Sequence, residues 1–356
     1  MYGFYGKRTT FLSPTCDEEL PQFCFFTAVI VVNAFRLTKN RQKIVSLLCW
    51  NEYNKIFMEQ TRKHSFKAWF FATRPWSFPA SAMPVLVTLA YLNWVGYKID
   101  WLSGVWALLN IVVFHAAGNT WSDYFDYKKG VDREDAIGGM SIVSGEFKAH
   151  EIKRLAWILL IIAVAAGIGL MLHAGLPVLY FGLAGCVLTL LYPWMKYRAL
   201  GDLDIFLTYS VLPILGTSFV ATGYLHKEVL WLMLPIGLIT VGILHVNNSR
   251  DIEQDSRAGI KTFAMLVGKR ASVFFYIAEL VLPFVCILVA VIWGAMPWWA
   301  MVVVVALKPA LDNCRAMLKL PTEGMKALVG IDEKTAQLQL MFSLLLSISL
   351  FATAML

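Results

Sequence analysis

Long apolar runs constrain this chain more than any other feature of its sequence. Nine stretches approach or exceed the roughly 20 residues that an α-helix needs to cross the hydrocarbon core of a bilayer. Hydrophobic residues make up 58% of the chain and charged residues only 15%, which excludes an ordinary soluble domain. Since a helix satisfies its own backbone polar groups in lipid, the sequence predicts an all-α integral membrane bundle of about nine helices, at 80–97, 102–122, 154–173, 176–194, 204–223, 229–248, 272–293, 297–313 and 337–355.

The basic residues separate the two ends of this predicted bundle. From residue 58 onward, 21 Lys and Arg residues precede the first span or follow the second, fourth, sixth and eighth, whereas only Lys98 and Lys227 lie in the other connections. Cytoplasmic segments of membrane proteins carry such an excess of basic residues. The pattern therefore predicts a cytoplasmic N-terminus and an outward C-terminus, and it accounts for the net charge of +7 without nucleic acid.

Residues 1–57 fit this plan poorly, which divides the chain into an N-terminal extension and a transmembrane domain at 58–356. The apolar run 23–35 is short for a span and is followed by basic residues, which is typical of a signal-like or interfacial segment. A natural translation start at Met58 explains the extension equally well. The six cysteines are scattered without a paired spacing, so we interpret them as free thiols rather than zinc ligands.

The first acidic motif closes the second predicted span. Asn119, Asp123 and Asp126 recur at i, i+4 and i+7, which places them on one face if the helix continues to its acidic end. Asp132 follows in the next connection. Either Asp126 or Asp132 completes the acidic set, and we favour Asp126 because it shares the helix face.

The second acidic motif closes the sixth span, at the same predicted end of the bundle. Asn247, Asp251 and Asp255 recur at i, i+4 and i+8, again on one face. Either motif alone is well explained as a solvated helix end with intrahelical ion pairs. Two such motifs, both led by Asn and both at one membrane face, indicate a shared site.

Repeated carboxylates at a membrane boundary are costly unless a cation lies between them, and ligands that are all oxygen favour Mg2+. Because Mg2+ commonly bridges a few carboxylates and substrate phosphates, the pattern predicts a clamp on a diphosphate. The expected metal ligands are Asn119, Asp123, Asp126, Asn247, Asp251 and Asp255, and all except Asn247 are also the expected catalytic residues. Basic side chains that would bind the diphosphate are Lys128, Lys129, Arg250, Arg257 and Lys261.

The two motifs resemble those of the UbiA superfamily of intramembrane aromatic prenyltransferases, and Asp251-x-x-x-Asp255 matches the second of them fully. Within that superfamily the chain most resembles the MenA branch, the 1,4-dihydroxy-2-naphthoate polyprenyltransferases. Three further stretches carry this narrower resemblance, at 72–79, 141–145 and 199–202. The first motif departs from the broader pattern, because Ser122 stands where many relatives have Asn and no acid lies four residues after Asp126.

The resemblance implies Mg2+-dependent transfer of a polyprenyl group from its allylic diphosphate to the carboxylate-bearing carbon of 1,4-dihydroxy-2-naphthoate. Diphosphate and CO2 would be lost, giving demethylmenaquinone for menaquinone synthesis. It also implies a cap of loop segments over an active site that faces the cytoplasm, in a bacterial cytoplasmic (inner) membrane. The prenyl tail would leave between helices into membrane lipid.

An anionic acceptor beside a diphosphate calls for positive charge and polar partners. The segment 192–198 and the residues around it provide the expected acceptor-binding residues: Arg74, Tyr192, Lys196, Arg198 and Asp202. Positive-inside topology explains the basic members of this set equally well.

Other acceptors stay open from the sequence, namely hydroxybenzoate, homogentisate, haem or chlorophyllide. A cation-coupled transporter is disfavoured because the acids cluster at one membrane face rather than at mid-membrane. His115 and His245 lie near the motifs, and we interpret each as a histidine bonded inside the bundle. Glu279 within the seventh span is expected to face a partner that the sequence does not name.

Overall fold

The computed structural model describes residues 64–133 and 140–356, and the described part is helical with no strand. Eight helices in it are long and apolar enough to cross a membrane. The predicted all-α membrane bundle is confirmed. The alternatives for residues 1–57 concern a segment outside the described residues.

The α-helices, in chain order, are α1 (Phe66–Ala72), α2 (Pro79–Val95), α3 (Trp101–Lys129), α4 (Met140–Val143), α5 (Ala149–Ala174), α6 (Pro177–Lys196), α7 (Gly201–Phe206), α8 (Leu212–Thr222), α9 (Leu230–Arg250), α10 (Ile252–Arg257), α11 (Phe263–Ile292), α12 (Leu307–Met317), α13 (Leu320–Glu323) and α14 (Ile331–Ala354). A π-helical turn, Leu207–Val211, joins α7 to α8 into one span. Short 3-10 segments lie at Pro75–Ser77, Lys227–Val229, Trp298–Ala306 and Gly324–Leu328.

The predicted eighth span, 297–313, departs from a single regular helix. It begins as the 3-10 segment Trp298–Ala306, which contains four consecutive valines, and continues as α12. Consecutive β-branched side chains crowd the preceding helical turn and lower helix propensity. Helix α12 carries Asp312, which lies 2.8 Å from both Lys308 and Arg315. This segment is therefore not one of the eight described helices that are long and apolar enough to cross a membrane.

Helix α3 carries the first acidic motif, and local signals set both its ends. At the start, the Asp100 carboxylate accepts hydrogen bonds from the backbone N–H groups of Leu102 and Ser103. At the end, Gly130 adopts φ 76°, a left-handed conformation that glycine enters without steric cost. The helix thus continues through Asp126, as the spacing of the motif requires.

The centre of the bundle is built by α2, α9, α11 and α14. Leu92, Ile236, Leu280 and Phe342, one from each helix, are fully buried. A Cβ atom on Gly242 of α9 would lie 2.9 Å from Leu280 Cδ1, so the close packing of α9 on α11 depends on this glycine. By contrast, α5 and α6 expose many large apolar side chains, as expected of helices that face lipid.

A small apolar cluster joins the segments around the first motif. Ala72 of α1, Ile142 of α4, and Phe147 and Ile152 near the start of α5 are buried together, and Tyr124 of α3 packs against them. The cluster ties the described connection between α3 and α5 to the helix that carries Asp123. A cap over the site stays a prediction.

Candidate active site

The two acidic motifs lie beside one polar cavity of about 200 Å³. Asn119 and Asp126 of α3 and Asn247 of α9 line it, together with Arg74 and Lys196. The motifs lie more than 100 residues apart in sequence, and the packing of the bundle brings them together.

The leading residue of the first motif is held by hydrogen bonds to the segment before α2. Asn119 Nδ2 donates to the backbone oxygen of Thr73 and to Ser77 Oγ, both at 2.9 Å. Both amide protons are thereby engaged, which orients the side chain. The Asn119 oxygen is left as the atom available to a metal ion or a polar ligand.

The first aspartate of this motif, Asp123, is only 1% exposed and forms an ion pair with Arg74. Arg74 has φ 57°, an uncommon left-handed conformation for a residue with a side chain. Burial disfavours the charged guanidinium, yet Asp123 and then Asp132 raise the pKa of Arg74 above its ordinary value. Arg74 therefore stays cationic in the wall of the polar cavity.

The second aspartate, Asp126, is engaged at both carboxylate oxygens. Lys196 Nζ donates to Oδ2 at 2.9 Å, and the Tyr197 hydroxyl donates to Oδ1 at 2.8 Å. Helix α7 begins close to this pair, because a Cβ on Gly201 would lie 3.2 Å from the Lys196 Cα atom. Burial, and then Asp126, raise the pKa of the Tyr197 hydroxyl, so it remains a neutral donor.

Asp132 also reaches the cluster, although it lies beyond the end of α3. Its Oδ2 atom is buried and has no hydrogen-bond partner among the described residues. Burial, reinforced by the charges of Asp126 and then Asp251, raises the pKa of Asp132 to about 6 against the opposing charges of Arg74 and Lys196. The structure thus brings both Asp126 and Asp132 towards the second motif, and the choice between them as metal ligand stays a prediction.

The second motif keeps its one-face spacing across a helix break. Helix α9 ends at Arg250, but the backbone N–H of Asp251 still donates to the backbone oxygen of Asn247 at 3.0 Å, and that of Asp255 donates to the backbone oxygen of Asp251 at 2.9 Å. Burial, opposed chiefly by Lys196, raises the pKa of the buried Asp255 carboxyl to about 7. A carboxyl with this pKa exchanges its proton for a cation near neutral pH.

Arg250 braces the second motif instead of lying open to the cavity. Its guanidinium donates to both oxygens of Asp251 at 2.8 Å, to Asp332 Oδ2 at 2.8 Å, and to Asn247 Oδ1. Asp332, on α14, lines the polar cavity and was not among the predicted site residues. It lies beside Glu333 in the first turn of α14, where acidic residues are common because they interact favourably with the helix dipole. Its position in the sequence therefore did not mark it as a site residue.

The donor set of this cluster fits a Mg2+ ion. It consists of carboxylate and amide oxygens, which Mg2+ prefers, and the buried Asp132 Oδ2 atom lacks a hydrogen-bond partner within the described residues. Three of the carboxylates pair with protein cations, in the pairs Arg74–Asp123, Lys196–Asp126 and Arg250–Asp251. Acidic and basic side chains are therefore paired beside the polar cavity, an arrangement suited to a metal-bound anion.

The predicted acceptor-binding residues divide between cavity and surface. Arg74, Tyr192 and Lys196 line the polar cavity. Arg198 is exposed, and its guanidinium stacks 4.4 Å from the Trp194 ring centre. Asp202 does not line the cavity, but Asp204, two residues later, does. Asp204 was not among the predicted site residues, and its place beside Asp202 at the start of α7 was the only sign of it in the sequence.

Four of the predicted diphosphate-binding residues have exposed side chains and do not line the polar cavity: Lys128, Lys129, Arg257 and Lys261. Their part in diphosphate binding stays a prediction.

A second, apolar cavity of about 260 Å³ adjoins the polar one. His115, Thr189, Thr208 and Tyr209 line both, the last two from the π-helical turn. Such turns are frequent at functional sites, because the extra residue per turn re-aims side chains. His115 is bonded inside the bundle as expected, with Nδ1 3.0 Å from Ser81 Oγ, and it also lies where the two cavities adjoin.

The apolar cavity reaches the outer surface of the bundle. Ile168 of α5 and Leu183 of α6 line it, and their side chains are 47% and 54% exposed on the lipid-facing side. A long hydrocarbon chain could therefore extend from the polar cavity, past His115 and Tyr209, between α5 and α6 into lipid.

Residues 81–315 match the UbiA prenyltransferase family, which is more than half of the chain. The chain belongs to the UbiA prenyltransferase family. A relative from Xenopus tropicalis, UbiA prenyltransferase domain-containing protein 1, is 33% identical over 240 residues, which cover 65% of this chain and 69% of the relative. The 1,4-dihydroxy-2-naphthoate octaprenyltransferase of Bacillus subtilis (strain 168) is 28% identical over 284 residues, which cover 78% of this chain and 90% of that enzyme.

Solved structures show the same fold as this UbiA-family protein. A UbiA homologue from Archaeoglobus fulgidus bound to GPP and Mg2+ superposes with a TM-score of 0.59 at 14% identity, covering 81% of this chain and 100% of that one. The apo UbiA homologue from Aeropyrum pernix K1 gives a TM-score of 0.55 at 14% identity, covering 78% of this chain and 96% of that one. The superfamily resemblance is confirmed, whereas the MenA branch is a matter of proposal.

Proposed function

We propose that this UbiA-family protein transfers a polyprenyl group from an allylic polyprenyl diphosphate to 1,4-dihydroxy-2-naphthoate, giving demethylmenaquinol, the hydroquinone form of demethylmenaquinone. One observation carries the proposal: a polar cavity flanked by two acidic motifs shares a wall with an apolar cavity that reaches the lipid-facing surface. This pair of cavities matches the two halves of a prenyl diphosphate. The similarity to the naphthoate octaprenyltransferase, which covers 78% of this chain and 90% of that enzyme, supports the choice of acceptor.

The polar cavity supplies what the donor head group needs. The metal would be held by Asn119, Asp123, Asp126, Asn247, Asp251 and Asp255, with Asp132 beside them, and when bound Mg2+ stabilises the negative charge that develops on the leaving diphosphate. Arg74 and Lys196 already pair with carboxylates of the first motif, so both are positioned to turn to the diphosphate oxygens. Exclusion of water by the surrounding helices strengthens these charge interactions.

The acceptor step forms one carbon–carbon bond and breaks two bonds, with every electron pair accounted for. The allylic C1–O bond breaks, its electron pair leaves with diphosphate, and the carboxylate-bearing ring carbon bonds to C1. The bond from that carbon to the carboxylate then breaks, and its electron pair restores the aromatic ring as CO2 leaves. No net proton is consumed, so the main role of the cavity is to orient the acceptor ring. Tyr192, Tyr209 and His115, which line the polar cavity, would do this.

The site lies at the basic end of the bundle, which the positive-inside rule assigns to the cytoplasm. We infer that both substrates enter from that side and that the tail remains in lipid. The relatives include animal and bacterial proteins, and a bacterial cytoplasmic membrane is our proposal for the host membrane.

The deciding experiment uses the full chain in lipid nanodiscs with Mg2+, a labelled prenyl diphosphate and a panel of acceptors. The panel contains 1,4-dihydroxy-2-naphthoate, the same naphthalenediol without its carboxylate, 4-hydroxybenzoate and homogentisate. We expect a prenylated product from dihydroxynaphthoate, identified by mass spectrometry, with one CO2 released per product.

Product from only the carboxylate-free naphthalenediol, or from only a benzenoid acceptor, would overturn the choice of acceptor while leaving prenyl transfer intact. If protein that binds the donor releases no diphosphate with any acceptor, the proposal of prenyl-transfer activity would be contradicted.

A further inference from the structure

A second, largely buried cluster of ionisable side chains lies outside both cavities. It contains Asp202 at the start of α7, His245 of α9 and Glu279 of α11. One potential ligand atom from each residue lies within 4.8 Å of the other two. The cluster therefore joins three separate elements at a single point inside the bundle.

The packing of α9 on α11 creates this meeting point. Gly242 lies three residues before His245 on α9, and a Cβ on it would lie 3.6 Å from Glu279 Oε2. The small residue lets α11 approach closely enough for Glu279 Oε1 to lie 2.8 Å from His245 Nδ1. Glu279, whose partner the sequence left unnamed, thus faces His245.

One hydrogen bond does not satisfy this group. Among the described residues, both carboxylate oxygens of Asp202, Nε2 of His245 and Oε2 of Glu279 are buried without a hydrogen-bond partner. His245 is fully buried and Glu279 exposes 9% of its side chain. Since buried polar atoms are nearly always bonded, four such atoms on three residues whose ligand atoms meet within 4.8 Å indicate a ligand that the residues share.

Charge and donor type narrow the ligand to a divalent cation. A histidine that binds a metal must be neutral, and the two carboxylates then carry a charge of −2, which a divalent cation neutralises in full. One nitrogen donor with two oxygen donors suits Zn2+, whereas Mg2+ prefers oxygen alone. In a tetrahedral Zn2+ site the donors lie about 3.4 Å apart, within reach of small side-chain rotations from the observed separation.

We propose that Asp202, His245 and Glu279 form a structural Zn2+ site, separate from the diphosphate site and completed by a water molecule. The ion ties α7 to α9 and α11. Helix α7 carries Asp204 and α9 carries Asn247, both of which line the polar cavity, so the ion stiffens the framework of that cavity. The proposal is independent of the identity of the acceptor.

The test uses full-length protein in nanodiscs, purified without a metal-affinity tag, loaded with Zn2+ and then dialysed against excess Mg2+. We expect one retained zinc per chain by elemental mass spectrometry. Zinc K-edge absorption should show one imidazole with oxygen donors and no sulfur. Added Zn2+ should raise the thermal unfolding midpoint of the wild-type protein.

Three variants separate this site from adventitious binding. His245→Gln and Glu279→Gln should lose at least 80% of the retained zinc and the thermal shift, whereas Asp312→Asn, which removes an exposed acid on α12, should keep both. Three results would overturn the proposal. They are wild-type protein that retains no zinc, an absorption spectrum that shows sulfur ligands, and equal amounts of zinc in the wild type and all variants. If the cluster variants fail to fold, the wild-type stoichiometry and absorption spectrum decide the question alone.

Discussion

The ammonium group of Lys196 lies 2.9 Å from Asp126 Oδ2, which ties the end of α6 to the first acidic motif on α3. The two residues are 70 positions apart in sequence. Lys196 is largely buried, so its charge acts in a medium that screens poorly. A cation held beside the acidic cluster is available to an incoming diphosphate.

Lys196→Gln should therefore lower kcat/KM for the prenyl diphosphate by about 100-fold, the size expected when one charged contact to a leaving group is lost. Lys196→Arg should recover part of this activity because it keeps the charge. Initial rates at saturating acceptor measure the effect. Lys319→Gln, an exposed lysine on the same predicted membrane side, is the matched control, and equal rates for both Gln variants would contradict the role of Lys196.

Asp251→Asn and Asp123→Asn, one from each motif, should each abolish measurable turnover or lower it by more than about 100-fold. Each substitution removes a carboxylate charge from the expected metal set while keeping the side-chain shape. The measurement is the rate as a function of Mg2+ concentration. Asp312→Asn should match the wild-type curve, and turnover within threefold of wild type for either motif variant would rule out the clamp.

Asp332→Asn should loosen the position of Arg250, which holds Asp251 of the second motif, without changing a predicted metal ligand. Arg250 would lose a charged partner on α14, which should lower the free energy of unfolding by on the order of 1 kcal/mol. The effect is small because Asp332 is one-quarter exposed and solvent screens the ion pair. We expect a lower thermal midpoint and a several-fold higher Mg2+ requirement. An unchanged Mg2+ requirement would show that Arg250 holds Asp251 without help from α14.

Gly185→Phe should shorten the prenyl chain that the protein accepts. Gly185 lines the apolar cavity, and a Cβ there meets nothing within 4 Å, so the ring can enter the cavity without a backbone clash. KM should rise more for a C40 donor than for a C10 donor. Leu191→Phe, on the exposed side of α6, serves as control; a uniform change across donor lengths would argue against this tail route.

Mg2+ affinity should rise between pH 6 and pH 8. Burial raises the pKa of Asp255 to about 7 and, with Asp126, that of Asp132 to about 6, so both carboxyls gain protons as the pH falls through this range. A protonated carboxyl is a poor Mg2+ ligand, and binding must displace its proton. Calorimetry in two buffers of different ionisation enthalpy would detect that proton release; its absence near pH 6.5 would contradict the prediction.

The same two groups affect the stability of the metal-free protein with the opposite trend. Their folded-state pKa values lie above the unfolded value near 3.9, so the folded state binds more protons in between. Stability should consequently fall as pH rises from about 4 to 7 and then level off. Excess Mg2+ should reduce this fall, which thermal unfolding at a series of pH values would measure.

The bilayer and helix geometry made much of this protein predictable from its sequence. A membrane requires each span to be a long apolar helix, so the spans could be located without tertiary information; the valine-rich segment at 297–313 was the exception. The 3.6-residue period placed Asn119, Asp123 and Asp126 on one face, and their counterparts at 247–255 on another.

Which side chains meet was decided only by tertiary packing. The sequence could not show that Arg250 would turn to Asp332, that Asp204 rather than Asp202 would line the polar cavity, or that Glu279 would reach His245 past Gly242. The physical reason is that period and hydropathy act along one helix, whereas ion pairs, orphaned polar atoms and cavities depend on the distances at which different helices pack.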